Sequence, residues 1–265
     1  METRRDGNNH KIVIIIPIYK ALLPPDEQLS LRQATMILGK YDITAIIPES
    51  FDREPVASRF PQIKFESFRD SDFQSLAAYN SLVLDESFYL RFKNYDYMLI
   101  YQLDAFVFKD ELEEWCGRGY DYIGAPWIPT DEKYLGCSGK LSLRLKRLFR
   151  RCDGRHHHMT HLYGVGNGGF SLRKISRFID LTHHYRDKIS SDLSSDNRLY
   201  PEDLWLFFEP EGKYRLHKPG WKTALEFAFE QNPEMSYSLN ESKLPFGCHA
   251  WSHPAYKEFW KNFIP

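Results

Sequence analysis

The apolar positions of the chain fall into short unbroken runs separated by stretches with helical spacing. Lys11 to Ile16 reads KIVIII, a β-branched run that predicts a first strand ended by Pro17. Pro24-Pro25-Asp26-Glu27 signals a helix start with acids in its first turn, Gln28 to Leu38 forms its body, and Gly39 stops it. Tyr41 to Ile47 predicts a second strand and Ile63-Lys64-Phe65 a short third. Ser71 is placed to cap a helix over 73–84. Met98-Leu99-Ile100-Tyr101 is continuously apolar, as in a strand buried on both faces, and it leads through Gln102-Leu103 into a carboxylate, Asp104. A helix over Glu111 to Cys116 and a strand within 120–127 follow. Later come a strand at Phe170 to Arg173, a helix at Lys174 to Tyr185 and a polar loop at 190–198. The remaining expectations are a helix opening at Pro201, an edge strand at Lys213 to Leu216, a helix at Trp221 to Glu230 and a terminal helix at 254–263. Alternation of strand and helix predicts an α/β fold with a mostly parallel central sheet flanked by helices and joined by right-handed crossovers. No repeat or low-complexity linker divides it, so one domain over 11–265 is expected.

In such sheets ligands bind beyond the carboxyl ends of the strands, which is where Asp104 falls. The plainer reading is that Asp104 starts a turn. Four glycines in six residues, Gly164-Val165-Gly166-Asn167-Gly168-Gly169, precede the Phe170 strand and allow a ligand close to the backbone. This is no phosphate-binding P-loop, because Gly-Lys-Ser/Thr is missing. Glu202 and Asp203 follow Pro201 at a helix start, either as ordinary first-turn acids or as a carboxylate pair able to accept a proton.

These segments together resemble a known family. "YDYMLIYQLDAFVF", "GVGNGGFSLR" (164–173), "PEDLW" (201–205) and "FGCHAW" (246–251) are similar to the DUF5672 family, bacterial proteins grouped with the GT-A glycosyltransferases. The likeness covers about residues 12–251. It implies a single GT-A-like, Rossmann-like domain that moves a sugar from a nucleotide-diphosphate sugar to a hydroxyl. Asp104 then stands for the first Asp of the GT-A Asp-x-Asp, although Phe106 replaces the second. Asp104 with His249 would hold Mg2+ or Mn2+, and the departure at Phe106 leaves a metal-free enzyme open. Asp203, or else Glu202, would be the general base of an inverting reaction. Donor contacts implied are Pro17, Tyr19, Asn80, Gln102, Asp104, Trp127, Asn167, Gly168 and Gly169. Tyr19 would stack on uracil or another base, and a UDP-sugar is the expected donor. Each has a plainer alternative: a strand-end aromatic for Tyr19, a solvent-facing helical residue for Asn80, a core plug for Trp127, a hydrogen-bonded buried imidazole for His249.

Composition narrows the partners. The chain is 42% hydrophobic and 27% charged, as in ordinary soluble domains, and its net charge of −1 argues against nucleic-acid binding. The polar start METRRDGNNHK has no apolar signal core, no 18-residue apolar run exists, and Cys116, Cys137, Cys152 and Cys248 form no metal spacing. A cytoplasmic protein with free thiols is expected. Residues 128–161 form a basic excursion, with Lys140, Arg144, Lys146, Arg147, Arg150, Arg151 and Arg155 around Leu141, Leu145 and Leu148. It is read as a peripheral membrane contact through 140–155 serving a glycan or lipid-linked acceptor, or as a solvated insertion. The adjacent histidines 156–158 suit only adventitious metal. Two other classes compete. A nucleotidyltransferase would need a glycine-rich basic loop after the first strand, which Pro17-Ile18-Tyr19-Lys20 is not. A non-catalytic glycan- or nucleotide-binding protein would not need the Glu202-Asp203 pair.

Overall fold

The structure is a computed structural model. It describes residues 10–130, 161–194 and 201–265, with positions 136, 138–139, 141–143 and 145 between them. The histidines at 156–158, the basic residues named in 140–155 and the Ser195 to Arg198 part of the expected loop lie outside the described residues.

The main sheet has six strands in the order β3-β2-β1-β4-β7-β6. β1 (Ile12–Pro17), β2 (Asp42–Pro48), β3 (Lys64–Phe68) and β4 (Tyr97–Tyr101) are mutually parallel. β7 (Phe170–Lys174) runs antiparallel to β4 and to β6 (Tyr122–Ile123). Every residue of β1 and β4 is buried, which explains the unbroken apolar runs: helices cover both faces of these central strands. Two hydrophobic clusters divide the two faces. Ile14, Ile16, Leu99 and Tyr101 point to one side, and Val13, Ile15, Met98 and Ile100 to the other. The chain moves outward from β1 through β2 to β3, then returns to the opposite side of β1 as β4. The strand order therefore reverses between β1 and β4, the position where open α/β sheets leave a crevice.

A second sheet of three two-residue strands is ordered β5-β9-β8. β5 (Phe106–Val107) pairs antiparallel with β9 (Gly247–Cys248), and β9 pairs parallel with β8 (Ala228–Phe229). This small sheet fastens the C-terminal segment beside the end of β4. Its far side is an aromatic cluster including Trp251, Trp260 and Phe229.

Several local expectations change. The 73–84 helix becomes a 3-10 turn, Asp70–Phe73, followed by a helix at Leu76–Leu82. Ser75 rather than Ser71 caps that helix, by accepting a hydrogen bond from the Ala78 backbone N–H. The 120–127 strand shrinks to two residues. Its successors Ala125 and Trp127 bond instead to the glycine loop, with Gly166 N donating to Ala125 O and Trp127 N to Gly164 O. A helix at Arg186–Ser194 occupies the first half of the expected 190–198 loop. Lys213 to Leu216 holds a 3-10 turn, Gly212–Tyr214, in place of an edge strand. The 221–230 helix stops at Phe227 because Ala228 and Phe229 enter the small sheet. Cys116 and Cys248 are free and buried. Among the described residues, no helix is long and apolar enough to cross a membrane.

Candidate active site

A cavity of about 450 Å³ opens at the carboxyl ends of β1 and β4, lined among others by Pro17, Tyr19, Phe73, Tyr79, Gln102 and Asp104. Pro17 ends β1, and Gln102 to Asp104 continue β4: Tyr101 faces Phe170, and Gln102 N donates to Gly169 O at 2.8 Å. Four expected donor contacts, Pro17, Tyr19, Gln102 and Asp104, thus share one wall. Tyr19 is 54% exposed at the mouth.

The small sheet assembles a polar cluster behind Asp104. Phe106 pairs with Cys248 across β5 and β9, so Asp104 meets the residues just after β9. Phe229 pairs with Cys248 across β8 and β9, which sets Glu230 beside His249. The result is a carboxylate–imidazole–carboxylate row. His249 Nε2 lies 3.1 Å from Asp104 Oδ1, and Nδ1 lies 3.1 Å from Glu230 Oε1. Gln102 Oε1 is also 3.1 Å from Nε2. Burial works to lower the imidazole pKa, but the two carboxylates overcome it and raise it to about 10. The two carboxylates thus favour the charged imidazole, and burial of the Asp104 carboxyl is outweighed by His249, which lowers its pKa. Ala250, next in sequence, adopts φ 54°. That left-handed turn, strained for alanine, aims His249 inward while Trp251 N reaches Asp104 O at 3.2 Å.

The glycine loop is the second wall of the cluster. Asn167, with φ 72°, turns its side chain back so that Oδ1 accepts from Gly169 N at 2.8 Å and Phe170 N at 3.2 Å. Its Nδ2 lies 3.2 Å from His249 Nδ1. A Cβ on Gly169 would lie 2.0 Å from His249 Nε2, and one on Gly168 would lie 2.4 Å from Glu202 Oε2. The glycines were expected to make room for a donor sugar. In the structure the directions their side chains would take are filled by protein, so the loop is glycine-rich to admit His249 and Glu202.

Glu202 and Asp203 open the helix Glu202–Phe208 and behave differently. Glu202 is buried and ion-paired to Arg173, Nη2 to Oε1 2.8 Å, at side-chain exposures of 4% and 1%. Burial pushes the Glu202 carboxyl up against the pull of Arg173. Arg173 also donates to Tyr89 Oη at 2.8 Å and Ser171 Oγ at 3.1 Å, which fixes it. Asp203 is half-buried, and its Oδ1 accepts from Leu204 N at 2.8 Å. Burial first, then the charges of Glu202 and Glu230, raise its pKa to about 7, while the backbone N–H groups of Leu204 and Asn167 pull the other way. Lys218, placed near both acids, has its pKa lowered by burial to about 7 and donates to Leu206 O at 2.9 Å. The expected site acids are thus joined in space: Asp104 to His249, His249 to Asn167, and the Asn167 backbone to Asp203.

Other expected residues sit elsewhere. Trp127, expected as a donor contact, is 4% exposed and packs on Gly166, Leu143 and Leu162, as a core plug does. Asn80 is buried, not solvent-facing, and does not line the cavity; Tyr79 beside it does. Asn167, Gly168, Gly169, Glu202 and Asp203 are not among the residues lining this cavity, and Asp203 keeps part of its surface exposed beside it. Reading the sequence missed Tyr79, Arg173, Lys218 and Glu230. Phe73, Leu76 and Tyr79 recur every third residue and all line the cavity, from the 3-10 turn and the helix that follows it. Nothing local marked the other three.

As a metal site, Asp104 and His249 fit in part. Two neighbouring ligands of an octahedral ion with bonds near 2.1 Å stand about 3.0 Å apart, close to the 3.1 Å between Asp104 Oδ1 and His249 Nε2. Nε2 would have to release its proton. Among the described residues no group of three or more His, Cys, Asp or Glu side chains is placed to hold a metal ion.

A family model described as "Protein of unknown function (DUF5672)" matches residues 62–249. No curated protein matches the sequence. Among solved structures, the galactosyltransferase LgtC in complex with donor and acceptor sugar analogs aligns with TM-score 0.53 at 11% identity, covering 96% of both chains. Mouse xyloside xylosyltransferase 1 aligns with TM-score 0.52 at 11% identity, covering 90% of this chain and 97% of the other. The glycosyltransferase GlyE of Streptococcus pneumoniae aligns with TM-score 0.50 at 12% identity, covering 95% of this chain and 59% of the other. Fungal mannosyltransferases also match, and the chain spans less than two thirds of their length. At these identities the likeness is one of fold, that of the GT-A glycosyltransferases.

Proposed function

The chain belongs to the DUF5672 family, and from the site it builds we propose that it is a glycosyltransferase using a nucleotide-diphosphate sugar. The observation that carries this is the cavity at the β1/β4 reversal with Asp104 in its wall, linked through His249 and Asn167 to Asp203. The LgtC structure, by its description, was solved with donor and acceptor analogs on the same fold.

The reaction breaks the bond between the sugar's anomeric carbon and the diphosphate oxygen and forms one to an acceptor hydroxyl oxygen. Asp203 takes the hydroxyl proton. A pKa near 7 suits a general base at neutral pH, since it is ionised often enough to act and basic enough to accept. Glu202, held by Arg173, is less able to serve and instead keeps the local field negative. The departing diphosphate carries the charge that must be offset. His249, paired with Asp104 and Glu230, tempers the negative charge of the Asp104 carboxylate on the cavity wall. Mg2+ or Mn2+ held by Asp104 and a deprotonated His249 would supply that positive charge in place of the imidazolium. Tyr19 at the mouth offers a ring face to the base, with a UDP-sugar as the first donor to try. The acceptor is a glycan or a lipid-linked precursor in surface polysaccharide or glycolipid synthesis, at the cytoplasmic face of a membrane, and an inverting outcome follows from direct attack.

The test is turnover of UDP- and GDP-sugars by the purified chain with and without Mn2+, for wild type and Asp203→Asn. We expect turnover in the wild type and a loss of about 10²–10⁴-fold in Asp203→Asn with nucleotide binding retained. An active Asp203→Asn protein removes the base assignment. A wild type that neither binds nor consumes nucleotide sugars, yet joins a nucleoside triphosphate to a sugar phosphate, is a nucleotidyltransferase; nucleotide binding without turnover marks a binding protein.

A further inference from the structure

The cavity wall is short of positive charge. Among the described residues three charged side chains line it, Lys20, Glu27 and Asp104, which sets one cation against two carboxylates. The other cations near the site are engaged elsewhere. Arg173 is sealed in its pair with Glu202, Lys218 donates to the Leu206 carbonyl, and His249 stands between Asp104 and Glu230; none of the three lines the cavity. A diphosphate linked to a nucleoside and a sugar carries negative charge on both phosphates. On this wall the ammonium of Lys20 is the one side chain that attracts it.

Lys20 is loosely held. Its Nζ lies 3.3 Å from Glu27 Oε1, and the two side chains keep 49% and 23% of their surface in solvent. An exposed ion pair of this kind contributes little, because water screens it and the lysine stem gives up rotamer freedom to make it. Glu27 does not depend on the pair either. It lies in the first turn of the helix Pro25–Ile37, where the helix dipole favours a carboxylate. The place of Lys20 in the chain also suits the role. It follows Tyr19 in the loop after β1, and its Nζ lies 5.4 Å from the centre of the Tyr19 ring. A base stacked on that ring brings the phosphates of the same nucleotide within the sweep of a flexible four-carbon stem.

We propose that Lys20 is the protein cation that receives the donor's diphosphate, exchanging its bond to Glu27 for one to a phosphate oxygen when the nucleotide enters. This rests on the donor-site reading above and adds a phosphate contact in the loop where the resemblance implied Pro17 and Tyr19 alone. Glu27 is the resting partner of the ammonium and competes with the ligand for it.

The experiment measures calorimetric binding of UDP, GDP, uridine and guanosine, with Mn2+ present, to wild type, Lys20→Met, Lys20→Arg and Glu27→Gln. Affinity for whichever diphosphate binds should fall about tenfold in Lys20→Met, the equivalent of one charge-assisted hydrogen bond, with nucleoside affinity unchanged. Lys20→Arg should restore most of it. Glu27→Gln should act the other way and raise diphosphate affinity about two- to fivefold, because the competing carboxylate is gone. Diphosphate binding should also weaken less steeply with added salt in Lys20→Met than in wild type. Three outcomes overturn the proposal: equal diphosphate affinity in wild type and Lys20→Met, an equal loss for nucleoside and diphosphate, or a loss of diphosphate affinity in Glu27→Gln. Should Lys20→Met fail to fold, as its melting curve would show, the Glu27→Gln arm decides by itself. If the wild type binds none of the four, the donor-site reading itself fails and takes this assignment with it.

Discussion

Replacing Arg173 by Met tests how the acid pair is held. Arg173 and Glu202 form an ion pair at 2.8 Å with almost no solvent on either side chain. Met fills the volume of the stem but leaves the Glu202 carboxylate buried without a cation, and Tyr89 Oη and Ser171 Oγ lose a donor. Breaking one side of such a pair costs about 3–5 kcal/mol, whereas replacing both sides by apolar groups is often near neutral. The prediction is therefore a loss of about 3–5 kcal/mol in Arg173→Met and recovery of most of it in Arg173→Met/Glu202→Met. A pH signature should accompany it. Burial raises the folded Glu202 pKa above its ordinary 4.5, and without Arg173 only the charge of Lys218 opposes that rise. The unfolded chain then releases this proton at lower pH than the folded one. Stability from this group is fully present below about 4.5 and is lost as pH rises through the raised value. Relative to wild type, Arg173→Met should regain stability between pH 7 and pH 5, by at most about 1.4 kcal/mol per pH unit. Urea denaturation followed by tryptophan fluorescence at both pH values measures all three proteins. A loss below about 1 kcal/mol in Arg173→Met, or a double variant no more stable than the single, would refute the reasoning that the pair is a coupled buried unit.

Two further outcomes follow from the same site. Because the Asp203 pKa is raised to about 7, turnover should climb as pH rises through 7, and the Asp203 contribution to stability should run the opposite way, present below about 4 and lost as pH rises through 7; a pH–rate profile with no inflection between 6 and 8 would contradict the assignment. Gly169→Ala puts a methyl group 2.0 Å from His249 Nε2, so the imidazole must leave Asp104; we expect a loss of about 1–3 kcal/mol in stability together with loss of turnover, read by thermal melting and the nucleotide-sugar assay, and a variant with wild-type values would show that the His249–Asp104 contact is dispensable.

The sequence by itself determined the frame. β1 and β4 are buried on both faces, and only apolar, largely β-branched runs satisfy that environment, so KIVIII and MLIY were legible as central strands without any partner in view. Their order and the carboxylate after β4 then located the cavity wall, because a parallel sheet presents its strand ends on one side. The positions flanking them were harder. Ser75 displaced Ser71 as the cap because a 3-10 turn, whose short repeat leaves little periodic trace, came first. The glycine loop was visible as a cluster of glycines, but what fills the space beside them was not, since His249 and Glu202 come from segments far along the chain.

Tertiary structure alone decided the chemistry of the cluster. Strands of two residues have no hydrophobic period to detect, yet the registers of β5, β8 and β9 are what set Asp104, Glu230 and His249 in a row. The same is true of Arg173: it stood in plain sight in "GFSLR", but a lone arginine in a strand acquires meaning only when Glu202 arrives from another element and both leave water. The charge states of His249 and Asp203 follow from that convergence, because a pKa is shifted by neighbours in space and by burial, and neither is written in the residue's own stretch of sequence.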